Sequence, residues 1–159
     1  MVHIAKLAGA VLVIASLAVL VFVGQAYIGY GADVPSQGPE RLSPADRVDS
    51  GSIVITSDGL LVRGLRNIRL VNLADTNSMD PVLDSEATAV EMVPVSTDEL
   101  HAGDIVSYKS GSNTIIHRIV EIGDDGAWYA VTKGDNNPAA DPDRVRFDQV
   151  KGVVVGIIY

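Results

Sequence analysis

The stretch 104–133, "DIVSYKSGSNTIIHRIVEIGDDGAWYAVTK", decides the fold class. Three runs rich in Val, Ile and aromatic residues are separated by "SGSN" (110–113) and "GDDG" (123–126). β-Branched and aromatic side chains suit a pleated backbone, and clusters of Gly, Asn, Asp and Ser suit tight turns. The stretch reads as three short strands joined by two turns. The same texture continues on both sides in "SIVITS" (52–57), "LLVRGL" (60–65), "NIRLVNL" (67–73), "TAVEMVPV" (88–95) and "GVVVGIIY" (152–159). Asp58-Gly59 is a turn signal between the first two of these. "STDELHAG" (96–103) can form one short helical turn with Ser96 or Thr97 as its cap. The chain has no internal repeat. Residues 51–159 are therefore predicted to be mainly β, with about seven or eight strands in a partly closed, twisted sheet.

Before residue 51 the composition changes. Residues 31–50, "GADVPSQGPERLSPADRVDS", carry three prolines and many small polar residues, and 30–50 reads as a linker. Residues 7–24, "LAGAVLVIASLAVLVFVG", hold no charge. As a helix this run would rise about 27 Å, close to the roughly 30 Å hydrocarbon core of a bilayer. Tyr27 and Tyr30 can sit at the interface, and a transmembrane helix is predicted over 7–29. Lys6 precedes the run and Asp33 is the first charge after it. The positive-inside rule then puts residues 1–6 in the cytoplasm and everything beyond residue 30 outside the cell membrane. A cleaved signal peptide is the alternative, since Gly24 and Ala26 are small.

The formal net charge is −8. Phosphate backbones need a basic face, so this balance speaks against a nucleic-acid partner. The chain has no cysteine, which excludes disulfides, thiolate catalysis and Cys-ligated zinc.

One serine stands in an unusual place, in "NSMDPVLD" (77–84), between two strand runs. It can cap a turn, or it can attack a carbonyl if a base and oxyanion donors are near. Of the three histidines, His3 falls on the other side of the predicted membrane segment, and His101 in "DELHAGD" (98–104) reads as a surface residue. His117 lies in a strand, where alternation places it with Ile115 and Ile119 on an apolar face. A histidine there is more often a satisfied core residue than a base, unless a serine and an acid are also accounted for. Asp135, Asp141 and Asp143 cluster in "TKGDNNPAADPDRV" (132–145). A solvated turn is the plain reading. A calcium loop starting at Asp135 fits poorly, because positions 139 and 140 are both Ala. A carboxylate that orients a histidine remains open.

Taken together, these segments resemble the signal peptidase I family. "NSMDPVL" resembles its Ser-Met-x-Pro-x-Leu box, "GDIVSYKSGSNTIIHRIVEI" its second box, "TKGDNNPAAD" its third and "VKGVVVGIIY" its closing strand. Where the bacterial branch has a lysine base this chain reads "IIHRIV", which resembles the archaeal and endoplasmic-reticulum branch with histidine. The likeness runs from about residue 76 to 159.

The resemblance implies a β peptidase domain behind one membrane anchor, with Ser78 as nucleophile and His117 as general base. Asp141 would be the partner of His117, with Asp135 and Asp143 as the other acids to consider. The Ser78 N–H and the Thr76 hydroxyl would receive the oxyanion. Met79 and Pro81 would shape the turn and the substrate floor. Substrates would be signal-peptide-bearing preproteins cut after small residues beside the lipid bilayer, with no metal or organic cofactor. The chain departs from the family at Asn77, where Gly is common, and in residues 51–73, which have no evident counterpart. Two rival readings are a Ser/Lys self-cleaving peptidase using Lys109 or Lys133, and a membrane-anchored β domain that binds a partner without catalysis.

Overall fold

In the computed structural model, which describes residues 41–159, each run read as a strand overlaps one. The strands are β1 Ile53–Thr56, β2 Gly59–Val62, β3 Ile68–Asn72, β4 Thr88–Met92 and β5 Ile105–Ser110. They continue as β6 Asn113–Asp124, β7 Trp128–Lys133, β8 Val145–Arg146 and β9 Val150–Ile158. The membrane helix predicted over 7–29 lies outside the described residues. Among those that are described, no helix is long and apolar enough to cross a membrane.

Seven strands form one antiparallel sheet in the order β3-β4-β9-β5-β6-β7-β8. The order has two ends, since β3 and β8 each pair on one side only. The sheet is therefore open, not partly closed as the strand count suggested. Alternation along the strands divides the core between its faces. Val106, Tyr108, Ile119, Ala130 and Val153 form one buried cluster, with Ile115 against it. Ile105, Ala89 and Val154 join Met79, Leu83 and Ala87 in the other, with Ile116 against it. Ile115 and Ile116 are neighbours in sequence yet serve opposite clusters, so β6 contributes to both.

Residues 41–50, expected to be part of a linker, are instead tied to the sheet. Arg118 Nη1 donates to the Leu42 carbonyl at 3.1 Å, and the Ala45 N–H donates to Asp104 Oδ1 at 3.0 Å. Arg47 Nη2 meets Asp104 Oδ2 at 2.6 Å and also donates to the Glu99 carbonyl. Asp104 is fully buried, and a buried carboxylate needs such partners to be tolerated.

The β1–β2 hairpin forms a separate two-stranded sheet. It pairs Ile55 with Leu60, both largely exposed, across a two-residue turn at Ser57-Asp58, one position before the Asp58-Gly59 turn expected from the sequence. Its ends already meet, with the Arg63 N–H donating to the Ser52 carbonyl at 2.9 Å. Two-stranded hairpins contribute little stability by themselves. Replacing residues 53–62 by a short Gly/Ser turn should therefore shift the thermal midpoint by no more than roughly 3 °C, the effect of under about 1 kcal/mol. A calorimetric scan of the two proteins checks this.

Candidate active site

The site forms where β6 changes partners. Residues 113–118 of β6 pair with β5, and 118–124 pair with β7. Over 114–117 the side of β6 away from β5 carries no strand among the described residues. The turn that follows β3 lines one cavity together with this free edge. Asn77 there has φ 56°, a left-handed conformation that Asn tolerates better than most side chains. This accounts for Asn where the resemblance leads one to expect Gly.

The turn is held from below and from the side. Met79 is 5% exposed within the core, and its Sδ accepts from the Asp135 N–H at 3.4 Å. The Ser78 carbonyl accepts from the Asn136 N–H at 2.9 Å, and Asn136 Nδ2 donates to the Asn77 carbonyl at 3.0 Å. Gly134 is forced by this packing: a Cβ there would stand 2.6 Å from the Ser78 carbonyl oxygen and 2.7 Å from Asn137 Nδ2. Gly134→Ala must therefore displace the serine turn. It should cost about 1–3 kcal/mol as an overpacked site and lower any Ser78-dependent rate together with it. Denaturant melts run beside turnover measurements test both effects.

His117 and Asp141 meet directly, with Nδ1 2.7 Å from Oδ2. His117 is 6% exposed on β6. The loop that follows β7 brings Asp141 back to the sheet, where its backbone N–H donates to the Thr132 carbonyl at 2.8 Å. Two hydroxyls join the carboxylate: Tyr108 Oη donates to Oδ2 at 2.8 Å and Thr132 Oγ1 at 2.7 Å. Burial raises the Asp141 carboxyl, but the hydrogen bonds from His117, Thr132 and Tyr108 outweigh it and hold the group below its ordinary value. The stability this provides is present above the ordinary carboxylate range. It is lost as pH falls through the lowered value in the folded chain.

The remaining residues singled out from the sequence fall in different places. Asp135 does not face His117. It is 5% exposed and takes a two-point ion pair from Arg118, Nε to Oδ1 at 2.8 Å and Nη2 to Oδ2 at 2.7 Å. Asp143 is exposed and makes no hydrogen bond among the described residues. Thr76 Oγ1 lies 3.1 Å from Ser78 Oγ, and the two hydroxyls share a hydrogen bond. No hydrogen bond joins Ser78 to His117 among the described residues, yet both line one cavity of about 390 Å³. Val71, Leu73, Thr76 and Ile115 line it too, and Met79 forms part of its floor. Pro81 does not line it. It is exposed on the turn beyond Met79, which corrects its expected place in the substrate floor. His101 is exposed and faces Asp104 at 3.9 Å. Lys109 is exposed, and Lys133 Nζ donates to the Gly134 carbonyl at 3.4 Å. No group of three or more His, Asp or Glu side chains among the described residues is placed to hold a metal ion.

Nothing local in the chain marks Tyr108 and Thr132 as partners of Asp141. Each lies in a strand run that reads as plain core. Only the pairing register puts them on one face with His117, Tyr108 opposite Ile115 and Thr132 opposite Ile119.

Comparison with known proteins gives one similarity that bears on this geometry. Over 83 residues the chain is 32% identical to signal peptidase I W of Bacillus subtilis (strain 168), an alignment covering 51% of this chain and 44% of that protein. The chain thus spans less than half the length of this curated relative. No protein-family model matches the chain, and no solved structure matches it.

Proposed function

We propose that this chain is a serine endopeptidase of the signal peptidase I type, working with a histidine base. The observation that carries the reading is the His117–Asp141 pair at 2.7 Å, lining the same cavity as Ser78. The similarity to a signal peptidase I supports the peptidase class. In this reading Ser78 Oγ attacks the scissile carbonyl as His117 takes its proton. The oxyanion is received by the Ser78 N–H and the Thr76 hydroxyl. His117 then protonates the leaving amine, and water repeats the sequence to release the acyl group. Asp141 holds the imidazole and stabilises the imidazolium, while Asp135 keeps its structural ion pair.

The substrate is an extended peptide laid along the free edge of β6 at 114–117, where backbone groups are open to a further strand. Small residues before the scissile bond, and preproteins as the source of the peptide, follow from the similarity to signal peptidase I. The uncharged run 7–24 supports retention at the cell membrane, with the N-terminus in the cytoplasm and the site outside.

The full chain in detergent, mixed with a signal-peptide-bearing precursor, should make a single cut after a small residue, read by N-terminal sequencing of the product. An intact precursor would favour the non-catalytic β domain. The protein should also stay with membranes through an alkaline carbonate wash, and release with a new N-terminus near Tyr27 would identify a cleaved signal.

A further inference from the structure

Asp141 Oδ2 stands within hydrogen-bond reach of three groups: His117 Nδ1 at 2.7 Å, Tyr108 Oη at 2.8 Å and Thr132 Oγ1 at 2.7 Å. Tyr108 and Thr132 also approach each other, at 3.1 Å. Each hydroxyl owns one proton. Two oxygens at 2.7–2.8 Å repel unless a proton lies between them, so both hydroxyl protons are committed to the carboxylate. The longer Thr132–Tyr108 approach is then imposed by the shared acceptor. With an ionised carboxylate bringing no proton, the third contact must be Nδ1–H of His117. The neutral imidazole therefore keeps its lone pair on Nε2, which is the form a general base needs.

The tyrosine ring has an ordinary role, since it belongs to a buried apolar cluster. A phenylalanine would fill that place. The hydroxyl is the part that core packing leaves unexplained, and burial holds it in its neutral, donating form. Thr132 is fully buried and its hydroxyl has no other partner than these two among the described residues.

We infer that Tyr108 and Thr132 are positioning residues whose hydroxyls clamp the Asp141 carboxylate, and through it set the tautomer of His117 and how tightly it holds a second proton. The inference rests on the reading of His117 as the base.

The sign of the effect follows from sharing. Three donors divide the charge of one oxygen. Removing a hydroxyl leaves more of that charge to Nδ1–H, so the imidazolium is better stabilised and the base is freed only at higher pH. The carboxylate is also less firmly held, so turnover falls. The other charged groups nearby do not change this argument. Arg118 and Lys109 alternate to the opposite face of β6 and β5, and Lys133 alternates away from Thr132 on β7. Asp143, on the same loop, acts on the Tyr108 hydroxyl through its charge.

The test uses the full chain in detergent and compares wild type, Tyr108→Phe, Thr132→Val and Thr132→Ser. kcat/KM for precursor cleavage is followed from about pH 5 to about pH 9, together with an NMR titration of the His117 ring. In Tyr108→Phe and Thr132→Val the acid limb and the ring titration should both move up by about half to one pH unit, with kcat roughly tenfold lower. Thr132→Ser, which keeps the hydroxyl, should match wild type. If the limb and the ring titration stay where wild type has them, or move down, while the variants remain folded, the clamp is refuted and the hydroxyls merely satisfy the core. A wild-type protein with no Ser78-dependent cleavage would instead sink the proposed function. The ring titration, which needs no turnover, would still decide the clamp.

Discussion

Replacing His117 by Ala should lower kcat for precursor cleavage by about four to six powers of ten, the range found when the histidine of a serine-protease triad is lost. The serine hydroxyl is a weak nucleophile until a neighbouring group takes its proton, and the described residues offer few candidates. His101 is exposed and faces Asp104. Lys109 is exposed on β5, and the Lys133 ammonium is engaged with the Gly134 carbonyl. Lys109→Ala and Lys133→Ala should each cost less than about tenfold, the scale of a lost surface interaction. Substituting lysine for His117 should not restore the rate. The ionised Asp141 carboxylate at that place favours a charged ammonium, which cannot accept a proton. A dead lysine variant beside a nearly normal His117→Ala protein would replace this mechanism with a Ser/Lys one. Asp141→Asn should fall by about 10⁴, because a side-chain amide no longer requires the Nδ1–H tautomer.

The largest loss of stability should come from Asp135→Ala. Removing one partner of a buried ion pair costs about 3–5 kcal/mol, because the remaining charge stays buried and uncompensated. Arg118 would be left in that state at 7% exposed, bound only to the carbonyls of Leu42 and Gly103. For a domain of this size the thermal midpoint should drop by roughly 10–20 °C. Arg118→Ala should cost a similar amount. The double variant should cost less than the two singles added, since neither charge is then stranded. Asp143→Ala, on the same loop but exposed, should stay within about 0.5 kcal/mol of wild type. Thermal melts of these four variants separate Asp135, as a structural acid, from its exposed neighbour Asp143. Equal melts for Asp135→Ala and Asp143→Ala would contradict that division.

The carboxylates of Asp135 and Asp141 also mark how far the sequence could be read. Strand character was legible because Val, Ile and aromatic residues recur between turn clusters, and β1 to β7 and β9 each overlap such a run, some reaching one or two residues past it. Val145–Arg146 was not legible, because two residues carry no periodicity and depend wholly on pairing with Tyr129 and Ala130. The face on which His117 lies was legible from alternation within β6. What stands beside it on that face was not. That depends on the register with which β5 and β7 meet β6, and register is a property of pairs of strands. Tyr108 and Thr132 were missed for this reason. Residues 41–50 were misread for another: prolines and small polar residues suggest a loose arm, but Arg47 supplies the charge that the buried Asp104 requires. The Asp135–Arg118 pair was hidden in the same way, since nothing local distinguishes Asp135 from Asp141 within the loop.

The proposed mechanism stands on Ser78 as the nucleophile of a peptidase. Its most direct test is the rate at which Ser78→Ala cleaves a signal-peptide-bearing precursor, measured beside wild type at equal concentrations of folded protein. Wild type should cut the precursor, and the variant should lose about six powers of ten, down to the background left by the oxyanion donors and binding. Cleavage by Ser78→Ala at a rate near that of wild type would contradict the mechanism.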